Sequence, residues 1–196
     1  MQTNFFENQS YFIDEKVNFF KFENSYQIFN DKGENIGAVN QKLSFGQKIL
    51  RLLINKQALP FYIEINDTNG RLVSSLSRGF TLGMSKIVVK NEHGQMVGSI
   101  KQKFKLFKPT FHIFNAQEAQ IAEINGDWKG WDFKIIDQHN NQIGTISKKW
   151  GGALKEIFTS ADKYNVSFDQ NYTDTQNKML MVSAAITIDM VHNERK

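Results

Sequence analysis

No cysteine occurs anywhere in the chain. Disulfides, thiolate metal sites, thiol nucleophiles and thioester-linked lipid anchors are excluded with it. Proline is nearly absent, at 2 residues, and no low-complexity run interrupts the sequence, so no long disordered linker is expected. The opening stretch MQTNFFENQSYF has no basic segment leading into an apolar one. No secretory signal is read there, and a cytoplasmic location is expected, with the inner membrane face as the place of any peripheral association. P-loop, GxGxxG, GxSxG and HExxH motifs are all missing. The four histidines do not pair at helical spacing; His93 and His139 fall in turns and His112 on a strand. Asp127 and Asp132 flank the pair Trp128 and Trp131, but no second motif supports glycosidase chemistry, and the tryptophans read better as caps near the rim of the fold. No enzyme is expected.

What the chain does contain is a recurrent ten-residue pattern. It runs as NDKGENIGAV from Asn30, DTNGRLVSSL from Asp67, NEHGQMVGSI from Asn91, NAQEAQIAEI from Asn115 and DQHNNQIGTI from Asp137. Asn, Asp and Gly make tight turns, and the aliphatic residues after each turn resume a strand. Apolar runs such as YQIF, FYIEI, KIVV, FHIF and FKII precede the turns, so each repeat predicts a β-hairpin. Five hairpins give ten strands. Tyr11–Phe22 adds a further β-like stretch, and Thr81–Gly83 or Tyr164–Phe168 supply others. The 17 phenylalanines suit sheet faces and a thick core. A barrel or sandwich of about ten to twelve strands is expected. The small residue of the repeat is Gly37, Ser74, Gly98, Ala122 or Gly144. It is expected to admit an object threaded through the lumen.

Helical signals are few. Phe45–Asn55 and Lys149–Phe158 could each form a short helix, and Thr175–His192 a longer one capped by Thr173 or Asp174. Within the last lies MLMVSAAITIDM, the most apolar stretch of the chain. Met179 to Val191 is too short for the ~20 residues of a bilayer span. Met179, Leu180, Val182, Ala185, Ile186 and Ile188 surround the helix on every side, with Asp189 near the end of the run. A helix apolar all round is buried all round. We therefore expect a closed barrel around a central hydrophobic helix, in which Ala185→Lys would prevent folding.

The formal charge of +4 is concentrated in two acid-free runs. One holds Lys42, Lys48, Arg51 and Lys56, the other Lys101, Lys103, Lys105 and Lys108. On a strand Lys101, Lys103 and Lys105 share one face, with Gln102, Phe104 and Leu106 on the other. Such patches suit anionic phospholipid headgroups. Lysine protection of an edge strand is the plainer alternative. Aromatic and basic residues do not interleave on one face, so nucleic acid is not the expected partner.

The stretch GTISKKWGGALKEIFTSADKYNVSF (Gly144–Phe168), the apolar run ending ITIDM, the earlier repeats and FKPTFHIF (Phe107–Phe114) together resemble the phospholipid scramblase and LURP-one-related family, a branch of the tubby C-terminal-like architecture. The resemblance implies a mainly β fold, a closed barrel of about twelve antiparallel strands around a buried C-terminal helix. It covers residues 11–192 as one domain, between a 1–10 tail and a 193–196 tail. It implies a lipid-associated module, with true movement of phospholipid between leaflets as one alternative and a soluble protein-interaction domain as another. The family's calcium segment maps onto Ser160–Asn171. Its usually acidic first and last positions are here Ser160 and Asn171, leaving Asp162 and Asp169 as weak calcium candidates.

Overall fold

A computed structural model describes residues 5–16, 25–42, 59–80, 86–103, 110–127, 130–149 and 163–193. The first hairpin-forming strands are β1 (Ser10–Lys16), β2 (Ser25–Phe29), β3 (Asn35–Lys42), β4 (Phe61–Asp67), β5 (Leu72–Arg78) and β6 (Lys86–Asn91). They are followed by β7 (Met96–Lys103), β8 (Thr110–Asn115), β9 (Gln120–Asp127), β10 (Asp132–Asp137), β11 (Gln142–Ser147) and β12 (Lys163–Phe168). Each strand pairs antiparallel with its neighbours in sequence, and β1 closes on β12 through the register Ser10 to Ser167. The result is a closed twelve-stranded barrel, as expected. The expected helix at Phe45–Asn55, the strand at Thr81–Gly83 and all but Lys149 of the helix at Lys149–Phe158 lie outside the described residues.

The five repeats form one turn, made five times. Its first residue donates its N–H to the carbonyl of the fifth, as Asp67 to Arg71, and accepts from the N–H of the fourth, as from Gly70. Its side-chain oxygen then accepts the N–H groups of the third and fifth residues. Asn30, Asp67, Asn91, Asn115 and Asp137 all do this, at 2.8–3.1 Å. This is why only Asn or Asp starts the pattern. The fourth residue has positive φ throughout: 77° at Gly33, 76° at Gly70 and Gly94, 59° at Glu118 and 64° at Asn140.

A second device follows each turn. Ile28 faces Gly37 and Phe29 faces Asn35, so Ile36 has no partner across the ladder. The same bulge leaves Val73, Val97, Ile121 and Ile143 unpaired. In an unbroken strand, residues three apart point to opposite faces. The extra residue restores the phase, so both aliphatics of the repeat reach the core. The small residue after it is needed chiefly by the next strand. A Cβ at Gly37 would strike the carbonyl oxygen of Asn66, and one at Gly98 that of Phe114. At the equivalent place Ser74 instead donates its hydroxyl to the carbonyl of Lys90 at 3.0 Å. The expected threaded object is a near neighbour at Gly98, where Leu180 lies 3.0 Å from the same Cβ position.

That object is the helix α1 (Thr175–Asn193). Asp174 caps it, its carboxylate accepting the N–H of Asn177 at 2.9 Å. Every residue from Lys178 to Met190 is buried. Eight strands make a barrel whose interior side chains fill it; twelve leave room for a helix ~10 Å across. Thr187 returns its hydroxyl to the carbonyl of Ser183 at 2.9 Å, which removes one polar group from the apolar interior. Packing falls nearest β7 and β8, where Gly98 lets the helix approach.

The segment expected as an N-terminal tail is part of this core from Phe5 onward. A 3-10 turn, Phe5–Glu7, buries Phe5 and Phe6. They pack with Tyr11, whose ring meets that of Phe168; Phe168 in turn stacks on Tyr172 at 6.1 Å. Gln9 donates to the carbonyls of Gln170 and Tyr172, and Lys178 donates to that of Asn8 at 3.1 Å. Residues 5–9 thus form a strap across the helix N-terminus. Enclosure holds the Lys178 amine below the usual lysine range, against the opposing pull of Glu7.

Candidate functional site

Alternating connections give the barrel two different ends. At one end lie the five tight turns, the strap 5–9 and the lead 169–174 into α1. These segments carry nine acidic residues and two basic ones, Lys32 and Arg71. At the opposite end the described strand termini include Lys16, Lys42, Arg78, Lys86, Lys103 and Lys163 against Asp127 and Asp132, and Lys148 and Lys149 follow β11. Opposite charges are therefore sorted along the barrel axis rather than across a face.

The candidate lysines follow this division. Lys42 and Lys103 close β3 and β7 at the basic end, four strands apart in the barrel. Lys48, Arg51, Lys105 and Lys108 lie outside the described residues, in connections that start from those strand ends. Lys101 alternates outward while Gln102 is buried, as the spacing predicts. Its amine is engaged: it meets Glu118 at 3.0 Å, Lys86 meets the same carboxylate at 2.6 Å, and the Lys101 amine lies over the Phe114 ring. These two hydrogen bonds hold the Glu118 carboxyl below its usual range. Farther round, Lys163 pairs with Asp14 at 3.3 Å.

Trp131 caps the basic end from within. It packs on Tyr164 and edge-on to Phe133, with ring centroids 5.3 and 5.9 Å apart, and the Lys148 amine lies 4.5 Å over its ring. It is 6% exposed, so it serves as the expected cap and not as an exposed anchor. Trp128 lies outside the described residues.

Sequence reasoning missed the pair Arg78 and Phe80. Arg78 is buried, its Nε and Nη2 both donate to the carbonyl of Leu59 at 3.2 and 2.8 Å, and its guanidinium stacks on Phe61. This ties the end of β5 to the start of β4. Two residues on, Phe80 is 68% exposed. The available signal was a glycine followed by an aromatic directly after the strand.

Asp169 is accounted for by the fold. Its backbone accepts from Tyr172 and its carboxylate from the N–H of Asn171 at 2.9 Å, so it begins a sixth turn that leads into α1. Asp162 lies outside the described residues, and among those described no three His, Asp or Glu side chains gather as a metal site would require.

A family model for scramblases matches residues 10–195. The chain belongs to the scramblase family. Human phospholipid scramblase 2 is 28% identical over 190 residues, covering 90% of this chain and 62% of its own length. Human phospholipid scramblase family member 5 is 26% identical over 186 residues, covering 87% and 66%. A phospholipid scramblase family protein of Schizosaccharomyces pombe is 24% identical over 183 residues, covering 85% and 47%. This scramblase-family chain thus spans about half to two thirds of these relatives. No solved structure matches it. No described helix is long and apolar enough to cross a membrane.

Proposed function

We propose that this scramblase-family barrel is a lipid-associated module that docks on anionic phospholipid, without enzymatic chemistry, at a cytoplasmic membrane face. The observation that carries the reading is the sorting of charge between the two ends. A basic end at which β3 and β7 close with Lys42 and Lys103, and after which the sequence continues through Lys48, Arg51, Lys105 and Lys108, attracts an anionic surface at ~1 kcal/mol per basic residue close to it. The acidic turn end is repelled by the same surface. The attraction falls with salt, because the Debye length is ~8 Å at physiological ionic strength.

A second reading, movement of lipid between leaflets, is favoured by the names of the relatives. α1 is enclosed by the barrel, so this reading needs a path other than insertion of that helix. Flotation with vesicles of phosphatidylcholine, with and without phosphatidylserine, separates the readings. Binding only to anionic vesicles, abolished by high salt and indifferent to calcium or chelator, is the expected result. Flotation that resists salt and needs detergent to reverse turns attention to a lipid-flip assay. A chain that floats with neither vesicle is a protein-interaction domain.

A further inference from the structure

Of the large apolar side chains described, three are well exposed: Tyr62 at 37%, Met96 at 37% and Phe80 at 68%. Met96 lies beside a turn at the acidic end, and Tyr62, the second residue of β4 and the partner of Lys42, toward the basic end. Phe80 also stands at the basic end, just past β5, and is the most exposed of the three. Single exposed apolar residues are ordinary on proteins, so exposure alone decides nothing. The support beneath it is what distinguishes this one. Arg78 buries a guanidinium, places two hydrogen bonds on the Leu59 carbonyl and stacks on Phe61 at 4.6 Å. The backbone two residues before Phe80 is thereby clamped between β4 and β5, and the ring is carried on a fixed base.

We propose that Phe80 is a membrane anchor, entering the headgroup region of an anionic bilayer and setting the barrel with its basic end toward the lipid and its acidic turns away. This rests on the lipid-docking reading above and adds to it an inserted residue and an orientation. Charge and apolar contact act in sequence: the basic strand ends bring that end to the surface, and the ring then leaves water. Phenylalanine suits the second step, since its transfer from water is favourable and it carries no polar group to desolvate.

The absence of cysteine makes a direct test simple. Phe80→Cys and, at the acidic end, Gln138→Cys are each labelled with an environment-sensitive fluorophore in the full chain. Each is mixed with vesicles of phosphatidylcholine plus phosphatidylserine, and flotation records the bound fraction independently. The label at position 80 is expected to report an apolar environment on binding, and the label at position 138 to remain in water. Phe80→Ala is expected to lower vesicle partitioning about tenfold, and Phe80→Trp to keep it. If the chain floats but the label at 80 stays aqueous, or Phe80→Ala partitions like the parent, the anchor is wrong and lipid docking stands. If the unlabelled chain does not float, both readings fall.

Discussion

At the scale of single residues, the repeated turn supports a controlled comparison. The fourth turn position has positive φ in all five copies, yet it is glycine in three, Glu118 in one and Asn140 in another. Side chains cost ~1–2 kcal/mol in this conformation, and asparagine less than most. Gly94→Ala should therefore lower stability by about 1 kcal/mol, while Asn140→Gly should leave it unchanged or raise it slightly. Urea unfolding of both variants checks this. The positions share a turn geometry and differ only in the residue they carry, so equal effects would refute the strain account. Glu118 is a different case, because its carboxylate joins Lys86 and Lys101 and substitution there removes those contacts too. The turns were legible in the sequence because the requirement is local. An Asn or Asp side chain satisfies two backbone N–H groups, and a permissive residue follows three positions later.

At the scale of elements, α1 and the strand bulges were read with different success. The helix was legible because a segment apolar on all sides and too short for lipid has few places to go. Its cap narrows to Asp174, and its end moves one residue beyond the expected His192. The spacing of the small residues was legible, but its cause was not. Which carbonyl approaches Gly37 or Gly98 depends on the neighbouring strand's register, and no local pattern contains that. The strap was equally hidden. Phe5 and Phe6 read as a tail until the closure of β1 on β12 sets Phe168, itself stacked on Tyr172, against the Tyr11 ring on which they pack. The buried helix yields a sharp expectation. Ala185→Lys puts an ammonium group in a fully enclosed position, where desolvation costs several kcal/mol. Circular dichroism and urea unfolding should show loss of the cooperative transition. A variant as stable as the parent would place that helix outside the barrel.

At the scale of the whole molecule, charge sorting emerges only when topology is known. The sequence shows basic runs near Lys42 and Lys101 but presents them as parts of one face. The barrel sets β3 and β7 four strands apart and ends both at the same rim. Lys101, the first residue of one run, is already occupied by Glu118. Reversing Lys103 and Lys105 to Glu should weaken binding to anionic vesicles by an order of magnitude or more. Reversing Lys32 and Arg71, at the acidic end, should leave it within about twofold, since those residues are held away from the surface. Vesicle flotation at low salt measures both. Equal losses would mean that net charge matters and its placement does not.

The closure of β1 on β12 also dictates a schedule. Twelve strands precede α1 along the chain, yet they surround it. A finished barrel offers a nineteen-residue helix no side entrance, so the wall must assemble while that helix is already present. During synthesis the sheet can grow hairpin by hairpin, each held by its own turn, but it waits as an open, curved ribbon with an apolar inner face. The final seam joins residues 149 to 157 positions apart, and contacts of such range form late. The ribosome thus delivers the centre of this barrel after its wall, and until then the unfinished interior has reason to seek a chaperone.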